Sequence, residues 1–188
     1  MIFFHSNNLI KTNNIICDSK SGLTGAGRGL SLKSHYPESN ENFSAYGVGS
    51  HRHTPEIEQV LSTIAGENVE VTFTPHLLPI NRGILSTIYC ETKENRTLEE
   101  IHKLYEEKYE NEPFVHVLPL GQTAEIKQVK CTNNCHISLH QNYRKNQLII
   151  VSTIDNMVKG AAGQAIQNLN LIIGAPEDTG LKLISPYF

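Results

Sequence analysis

A histidine pair beside an arginine is the strongest candidate for chemistry in this sequence. The segment His51-Arg-His directly precedes Thr54-Pro-Glu, which is typical of a helix start. Free N–H groups and the dipole at a helix start attract anions. His51 and His53 would point the same way on extended backbone, so one could contact a phosphate or carboxylate while the other handles a proton. A plain polar loop is the alternative, but the clustering of three cationic side chains favours function.

Two glycine-rich segments could bring the backbone close to a ligand. Residues 19–29 hold four glycines but match neither a dinucleotide-binding nor a Walker A pattern, so a surface loop and an anion cradle both remain open. Gly160 and Gly163 lie near a predicted helix start, where each costs about 1 kcal/mol relative to alanine. Close backbone packing and a bound cofactor explain that cost equally well.

The four cysteines do not predict a metal site or a disulfide framework. Cys131 and Cys135 have a spacing that zinc sites permit, with His136 and His140 beyond. No second paired motif follows, and residues 135–139 alternate like an ordinary strand. Spread over 188 residues, the cysteines are typical of reduced thiols in a cytoplasmic protein.

Hydrophobic periodicity predicts the elements that must position these residues. Residues 33–50 are predicted as mostly loop, and Pro75 is predicted to end a strand and to begin a turn at Pro75-His-Leu-Leu-Pro. Strands are predicted at 13–18, 69–74, 83–90, 114–118, 125–130, 134–140 and 147–154, with helices beginning at Thr54 as N-cap, at Thr97 and near Met157, the last ending near Ile173. This order predicts an α+β fold, with a mixed, largely antiparallel sheet and helices packed on one face.

Composition sets the limits of the functional interpretation. The chain has 16 Lys and Arg and 19 Asp and Glu, a net charge of −3, which argues against binding to nucleic acid or an anionic membrane. It has no apolar run long enough for a membrane span and no signal-peptide core, so we expect a soluble, cytoplasmic domain. A hydrolase, a reductase and a regulatory ligand-binding domain all fit these observations.

Four segments taken in order are more specific than any one alone. They are Ser19-Lys-Ser-Gly-Leu-Thr-Gly-Ala-Gly-Arg, His51-Arg-His-Thr-Pro-Glu-Ile, Phe73-Thr-Pro-His-Leu-Leu-Pro-Ile-Asn-Arg-Gly-Ile-Leu and Asp155-Asn-Met-Val-Lys-Gly-Ala-Ala-Gly-Gln-Ala. Together they resemble the N-acetyl-gamma-glutamyl-phosphate reductase family, NADPH-dependent enzymes of arginine biosynthesis related to aspartate-semialdehyde dehydrogenase. The resemblance runs from about Leu9 to the end of the chain.

The resemblance implies a reaction and a set of site residues. In this family a cysteine thiolate attacks the acyl phosphate of N-acetyl-gamma-glutamyl phosphate, and NADPH reduces the resulting thioester to N-acetylglutamate semialdehyde. His51 matches the acid/base histidine. The substrate-binding residues implied are Tyr46, Arg52, His53 and Arg82. Those implied near the nicotinamide end of NADP(H) are Ser21, Gly22, Asn156 and Gly160.

The resemblance also implies a division of the chain. Residues 1–18 would be a remnant of the N-terminal cofactor domain and residues 19–155 a substrate-binding and oligomerisation domain of the semialdehyde-dehydrogenase and glyceraldehyde-3-phosphate-dehydrogenase type. Residues 156–188 would pack back on the cofactor domain. A homo-oligomer is the implied assembly.

The departures from the family pattern bear on activity. Complete members are nearly twice as long, with a Rossmann G-x-G-x-x-G loop and a Gly-Cys-Tyr-Pro segment that holds the nucleophile; neither occurs in this sequence. We therefore expect the isolated chain to be inactive and to need an N-terminal half, which a separate gene could encode. The alternative is a non-catalytic relic that retains binding or oligomerisation.

Overall fold

One mixed β-sheet forms the centre of the molecule. The computed structural model describes residues 9–93, 96–143 and 147–186. Within these ranges the strands are β1 (Ile15–Gly22), β2 (Ser44–Ala45), β3 (Val71–Leu78), β4 (Ile84–Glu91), β5 (Val115–Val117), β6 (Cys135–Gln141) and β7 (Gln147–Ile154). Their order is β2-β3-β1-β4-β7-β6-β5, with β1–β3 and β5–β6 parallel and the other neighbours antiparallel. The predicted mixed, largely antiparallel sheet is confirmed.

Helices surround this sheet unequally. The α-helices are α1 (Tyr36–Ser39), α2 (Thr54–Ala65), α3 (Leu98–Tyr109), α4 (Ile126–Val129) and α5 (Gly163–Ile172). Short 3-10 turns occupy Leu23–Ala26 and Leu32–Ser34, and one π-helical turn, Val158–Ala162, leads into α5. No helix in the described ranges has the length and apolar composition needed to cross a membrane.

The hydrophobic core lies between one face of the sheet and the helices α2 and α3. Alternate strand residues point to the same face, so Ile15, Val71, Cys90, Leu148 and Leu139 form one buried surface. The helices pack on it through Ile57, Leu61, Ile101 and Tyr105. Helix α3 begins with the expected capping box, in which Thr97 and Glu100 exchange hydrogen bonds of 3.2 and 2.9 Å.

The opposite face of the sheet is covered only in part. Helix α4 packs on it beside β6 and β7, where the N–H of Ala124 donates to Ser138 Oγ at 3.0 Å. Toward β3, β1 and β4 the same face presents exposed or half-buried residues, including Ile16, Thr72 and Tyr89. Helices α2 and α3 therefore fit the prediction of helices on one face, and the short α4 is the exception.

Two predicted strand ends are wrong. Strand β1 continues through residues 19–22, which were predicted as loop, because β3 and β4 pair with it on both sides. Strand β3 continues through Pro75 to Leu78, where a break and a turn were predicted. The carbonyl of Pro75 accepts from the N–H of Tyr46 at 3.0 Å, so the proline nitrogen faces the side on which β2 ends. No hydrogen bond between β3 and β1 is lost there.

Two further predictions are wrong, a strand at 125–130 and one regular helix at 157–173, whereas residues 33–50 are mostly loop, as predicted. Residues 125–130 form helix α4 and not a strand, since Glu125 and Gln128 make a capping box. Residues 33–50 contain α1 and β2 as well as loop. The segment 157–173 is not one regular helix, because the π-helical turn precedes α5. Strand β1 contains residues on both sides of the predicted domain boundary after residue 18, which itself stays a prediction.

Candidate functional site

Three aromatic rings surround the side chain of His51. It is half-buried, with ring centroids 5.5 Å from Tyr46, 5.0 Å from His53 and 5.2 Å from Phe73, all edge-on. Phe73 belongs to β3, whereas Tyr46 follows β2 and is fixed by its hydrogen bond to Pro75. The sheet thus fixes two sides of the His51 ring.

The backbone at the start of α2 determines which nitrogen of His51 is available. The N–H of His53 donates to His51 Nδ1 at 3.2 Å, so the neutral ring carries its proton on Nε2. His53 is the residue before α2 and Thr54 the first within it, one position earlier than predicted, because the N–H of Ile57 bonds to the carbonyl of His53. Nε2 has no hydrogen bond to any described residue and can donate to a ligand.

Electrostatics favour the neutral form of His51. Burial lowers the pKa of His51 from its ordinary value of 6.5, and the positive charges of His53 and Arg52 lower it further. Burial raises the pKa of Tyr46, with Arg52 acting in the opposite direction. Arg52 and His53 are exposed and can contact an anion beside the ring.

A second cluster surrounds the turn between β3 and β4. Asp155, fully buried after β7, accepts backbone N–H bonds from Cys131 (2.7 Å), Met157 (2.7 Å) and Val158 (3.0 Å). Its Oδ2 also lies 3.3 Å from Nη1 of Arg82. Burial alone would raise the pKa of Asp155, but these hydrogen bonds and the Arg82 charge lower it overall, so the carboxylate is ionised. Asp155 was not among the predicted site residues, although it begins one of the four segments that carry the family resemblance.

Asn156 connects the same turn to the loop that follows β1. Its Oδ1 accepts from the N–H of Gly83 at 2.8 Å, and its Nδ2 donates to Thr24 Oγ1 at 2.9 Å. The hydroxyl of Thr24 donates in turn to the carbonyl of Asn81 at 2.6 Å. Both polar ends of the Asn156 amide are thus used within the chain.

Gly22 is needed for close approach of two backbone segments. A Cβ atom there would lie 2.7 Å from the carbonyl oxygen of Asn81 and 3.0 Å from the nitrogen of Arg82. Its own N–H donates to the carbonyl of Gly83 at 2.8 Å, and its carbonyl accepts from Ser21 Oγ at 3.2 Å. Tight packing at the end of β1 therefore explains this glycine without a ligand.

Gly160 and Gly163 differ in the space around them. A Cβ at Gly163 would overlap Asn133 Oδ1 and lie 2.8 Å from the carbonyl oxygen of Val158. A Cβ at Gly160 would have its nearest neighbour at 3.5 Å, and Gly160 is exposed. Packing inside the chain thus explains Gly163 but not Gly160. The π-helical turn that holds Gly160 is a feature often found at functional sites.

The predicted site residues form two groups at different positions along β3. His51, Tyr46, Arg52 and His53 lie near Phe73 in the middle of β3. Arg82, Ser21, Gly22 and Asn156 lie beyond the end of that strand, with Gly22 opposite Leu78. Phe73 and Leu78 are separated by about 17 Å at 3.3 Å per residue.

Burial makes three of the four cysteines, Cys17, Cys90 and Cys135, poor candidates for a nucleophile. Burial raises the pKa of Cys17 and Cys135, and it raises that of Cys90 to about 12. Cys131 has a left-handed backbone (φ 62°), and its Sγ lies 3.9 Å from Arg82 Nη1. Within the described ranges no group of three or more His, Cys, Asp and Glu side chains could hold a metal ion.

Curated relatives match the chain closely over about half of their own length. It is 68% identical over 182 residues to N-acetyl-gamma-glutamyl-phosphate reductase of Clostridium beijerinckii, covering 97% of this chain and 53% of that protein. The protein of the same name from Brachyspira hyodysenteriae is 58% identical over 183 residues, with 97% and 52% covered.

Solved structures and a family model agree on the fold. Aspartate semialdehyde dehydrogenase of Francisella tularensis matches with a TM-score of 0.68 at 14% identity, over 92% of this chain and 60% of that one. A probable aspartate-semialdehyde dehydrogenase of Pseudomonas aeruginosa matches with a TM-score of 0.68 at 14% identity, over 85% and 54%. The family model described as semialdehyde dehydrogenase, dimerisation domain, matches residues 2–156. Because that match covers most of the sequence, the chain belongs to the semialdehyde dehydrogenase dimerisation-domain family.

Proposed function

We propose that this chain is the substrate-binding and oligomerising half of an N-acetyl-gamma-glutamyl-phosphate reductase. The observation that carries the proposal is the His51 group, a neutral imidazole with a free Nε2–H beside the cationic side chains of Arg52 and His53. Such a group suits an acyl phosphate, which has a carbonyl oxygen to polarise and a phosphoryl group to neutralise. The 68% identity to a protein of that name supports the same substrate.

His51 would act at the carbonyl oxygen of the substrate. Its Nε2–H can donate a hydrogen bond to this oxygen and stabilise the charge that develops there. Full transfer of a proton to the oxygen would require the ring first to become an imidazolium, because a neutral ring that lost its proton would be left as an imidazolate. To accept a proton from a thiol at Nε2, the ring would need the other neutral tautomer, and the bond from the His53 N–H to Nδ1 would have to break. Arg52, His53 and Tyr46 would bind the phosphoryl and carboxylate groups, with Arg82 as a further anion contact.

NADPH, when bound, would supply the hydride for the reduction. The residues at the proposed nicotinamide site fit this cofactor in different ways. Gly160 leaves open space for close approach, and Ser21 offers a half-buried hydroxyl. Gly22 and Asn156 would act mainly by fixing the backbone around the turn at Arg82.

The surface of α5 supports docking of an N-terminal cofactor domain. Its buried residues are Gly163, Gln167 and Asn170, whereas its apolar residues Leu169 and Ile172 are 53% and 81% exposed. A helix that turns its polar side inward and its apolar side outward normally packs against another partner. We therefore assign residues 156–188 to that contact.

The open part of the sheet face supports self-association. It mixes exposed and half-buried apolar and hydroxyl residues, among them Ile16, Thr72, Thr87, Tyr89 and Ile149. We assign this face to a contact between copies of the chain in a homo-oligomer. The contact would lie within residues 19–155 and residues 15–18 of β1. We assign the enzyme to the cytoplasm.

Reconstitution tests the proposed function. The chain would be mixed with the N-terminal portion of the Clostridium beijerinckii protein that it does not cover, and phosphate-dependent reduction of NADP+ by N-acetylglutamate semialdehyde measured. We expect activity with both parts and none with this chain alone. His51→Gln should lower the restored rate about 10²- to 10⁴-fold, whereas exposed His35→Gln should leave it unchanged. Activity without the added part, or an unaffected His51→Gln, would contradict the proposal. No activity in any mixture would favour a non-catalytic binding module.

A further inference from the structure

Arg82 is held from one side only. Its Nη1 contacts the Asp155 carboxylate at 3.3 and 3.5 Å and Cys131 Sγ at 3.9 Å. A guanidinium has five N–H donors, and within the described part of the chain only Nη1 is hydrogen-bonded. The side chain remains 34% exposed, so the rest of its fork can bind a carboxylate or phosphate oxygen pair.

Backbone hydrogen bonds that do not involve Arg82 hold the Asp155 carboxylate in place. Its two oxygens take three backbone N–H bonds, from Cys131 before β6 and from Met157 and Val158 after β7. Those bonds already satisfy a buried carboxylate, so folding alone does not require the arginine. The carboxylate in turn restricts the guanidinium to one orientation, which saves part of the entropy that ordering would cost when an anion binds.

The same carboxylate also shapes the turn that carries Gly160. Oδ1 accepts the N–H groups of Met157, which precedes this turn, and of Val158, its first residue. The carbonyl of Asp155 accepts from the N–H of Gly160 at 2.9 Å. One residue therefore fixes both Arg82 and the backbone proposed to face the cofactor.

We propose that Asp155 is a positioning residue that orients the Arg82 guanidinium toward a substrate anion. It also holds the turn that carries Gly160 in a fixed position relative to that guanidinium. This inference rests on the proposed reductase function for the identity of the substrate. The anion is the carboxylate or the phosphoryl group of the acyl phosphate, and two probes separate these sources. N-acetylglutamate carries only carboxylates, and inorganic phosphate only the phosphoryl oxygens.

A double-mutant cycle on the full chain tests the positioning role. Affinity for each probe is measured by calorimetry for the wild type, Asp155→Asn, Arg82→Gln and the double variant. We expect Asp155→Asn to weaken binding of one probe about tenfold and to have no further effect once Arg82 is Gln. Additive losses, or no binding of either probe by the wild type, would overturn the proposal. Thr24→Val is the control, because it removes the two hydrogen bonds of the Thr24 hydroxyl, with Asn81 and Asn156, without touching the guanidinium. It should lower stability but not the affinity for the probes.

A second measurement tests the proposal even if the Asp155→Asn variant does not fold. Nitrogen-15 NMR of the arginine side chains in the wild-type chain, with Arg82→Lys for assignment, reports rotation of the guanidinium. Restricted rotation of Arg82 before ligand is added, compared with exposed Arg28, supports the proposal, and equal rotation overturns it. If the double-mutant cycle shows coupling between Asp155 and Arg82 but the reconstituted enzyme is inactive, only the reductase function is refuted. If the affinity losses of the two single variants are additive but the reconstituted enzyme is active, only the positioning role is refuted.

Discussion

The backbone N–H of His53 donates to Nδ1 of His51 at 3.2 Å, and this contact fixes the chemistry that His51 can offer. An imidazolium has a proton on both nitrogens, so protonation would place two N–H donors against each other. The contact thus acts in the same direction as burial and the neighbouring cations, which lower the pKa of His51. At neutral pH the ring is an uncharged donor through Nε2.

The pKa of His51 should respond to its neighbours. In a proton NMR titration we expect a midpoint below 6.5, because burial and the charges of His53 and Arg52 disfavour the imidazolium. Arg52→Gln removes one positive charge and should raise the midpoint, while burial keeps it below 6.5. A midpoint that stays the same or falls in Arg52→Gln would show that Arg52 does not act on the ring.

Gly22→Ala should destabilise the chain. The new methyl group would lie 2.7 Å from the carbonyl oxygen of Asn81, so the turn between β3 and β4 must shift. We expect a loss of about 1–3 kcal/mol in the free energy of unfolding, measured in urea. Gly29→Ala is the matched control, since a Cβ there meets nothing within 4 Å, and it should leave stability unchanged or slightly higher. Equal effects of the two substitutions would refute the close-packing explanation.

Substitution of Gly163 by alanine should lower stability, whereas substitution of Gly160 by alanine should lower the NADPH-dependent rate. Gly163→Ala places a methyl group against Asn133 and Val158, so it should lower the free energy of unfolding by about 1–3 kcal/mol. Gly160→Ala has room and should cost less than about 0.5 kcal/mol, yet lower the NADPH-dependent rate of the reconstituted enzyme. An unchanged rate in Gly160→Ala would remove this glycine from the proposed cofactor site.

His136 should make stability fall in mild acid. Burial, and then the charge of His116, lower the pKa of His136 from its ordinary 6.5 in the folded state. The unfolded chain then binds more protons, so the free energy of unfolding decreases as the pH falls below about 6.5 and through the folded pKa. His136→Gln should make this decrease smaller, as measured by urea unfolding at a series of pH values, from about one unit above the ordinary histidine pKa of about 6.5 to about 1.5 units below it. Exposed His35→Gln serves as the comparison and should leave the slope as it is.

The exposed stripe of α5 should matter only when the N-terminal half is present. Leu169→Glu changes an exposed side chain, so the stability of the isolated chain should change by less than about 0.5 kcal/mol. The same substitution should strongly reduce the activity recovered on mixing, because a charge would enter the proposed interface. Asn168→Glu adds the same charge to a neighbouring exposed residue of α5. If both variants recover equal activity, α5 is not the docking surface.

Local sequence patterns predicted much of the fold. They failed where contacts with distant segments of the chain decide the local structure. Alternation located β3 and β6, and the Thr97 and Glu100 pair located the start of α3, because these signals depend on residues only a few positions apart. Pro75 was misread because its effect depends on which neighbouring strand its nitrogen faces, and β2 ends on that side. Residues 125–130 were misread because the segment is too short for apolar periodicity to distinguish a helix from a strand.

The sequence by itself determined the fold class, the starts of α2 and α3 within one residue, and the histidine cluster, because periodicity, caps and adjacent side chains are local properties. The tertiary structure alone decided which glycine packs and which stays open, and which buried carboxylate meets Arg82. Asp155 and Arg82 are 73 residues apart, and Gly22 meets Asn81 only because β1 lies between β3 and β4. Contacts between such distant residues depend on the register of the strands, which no local pattern encodes.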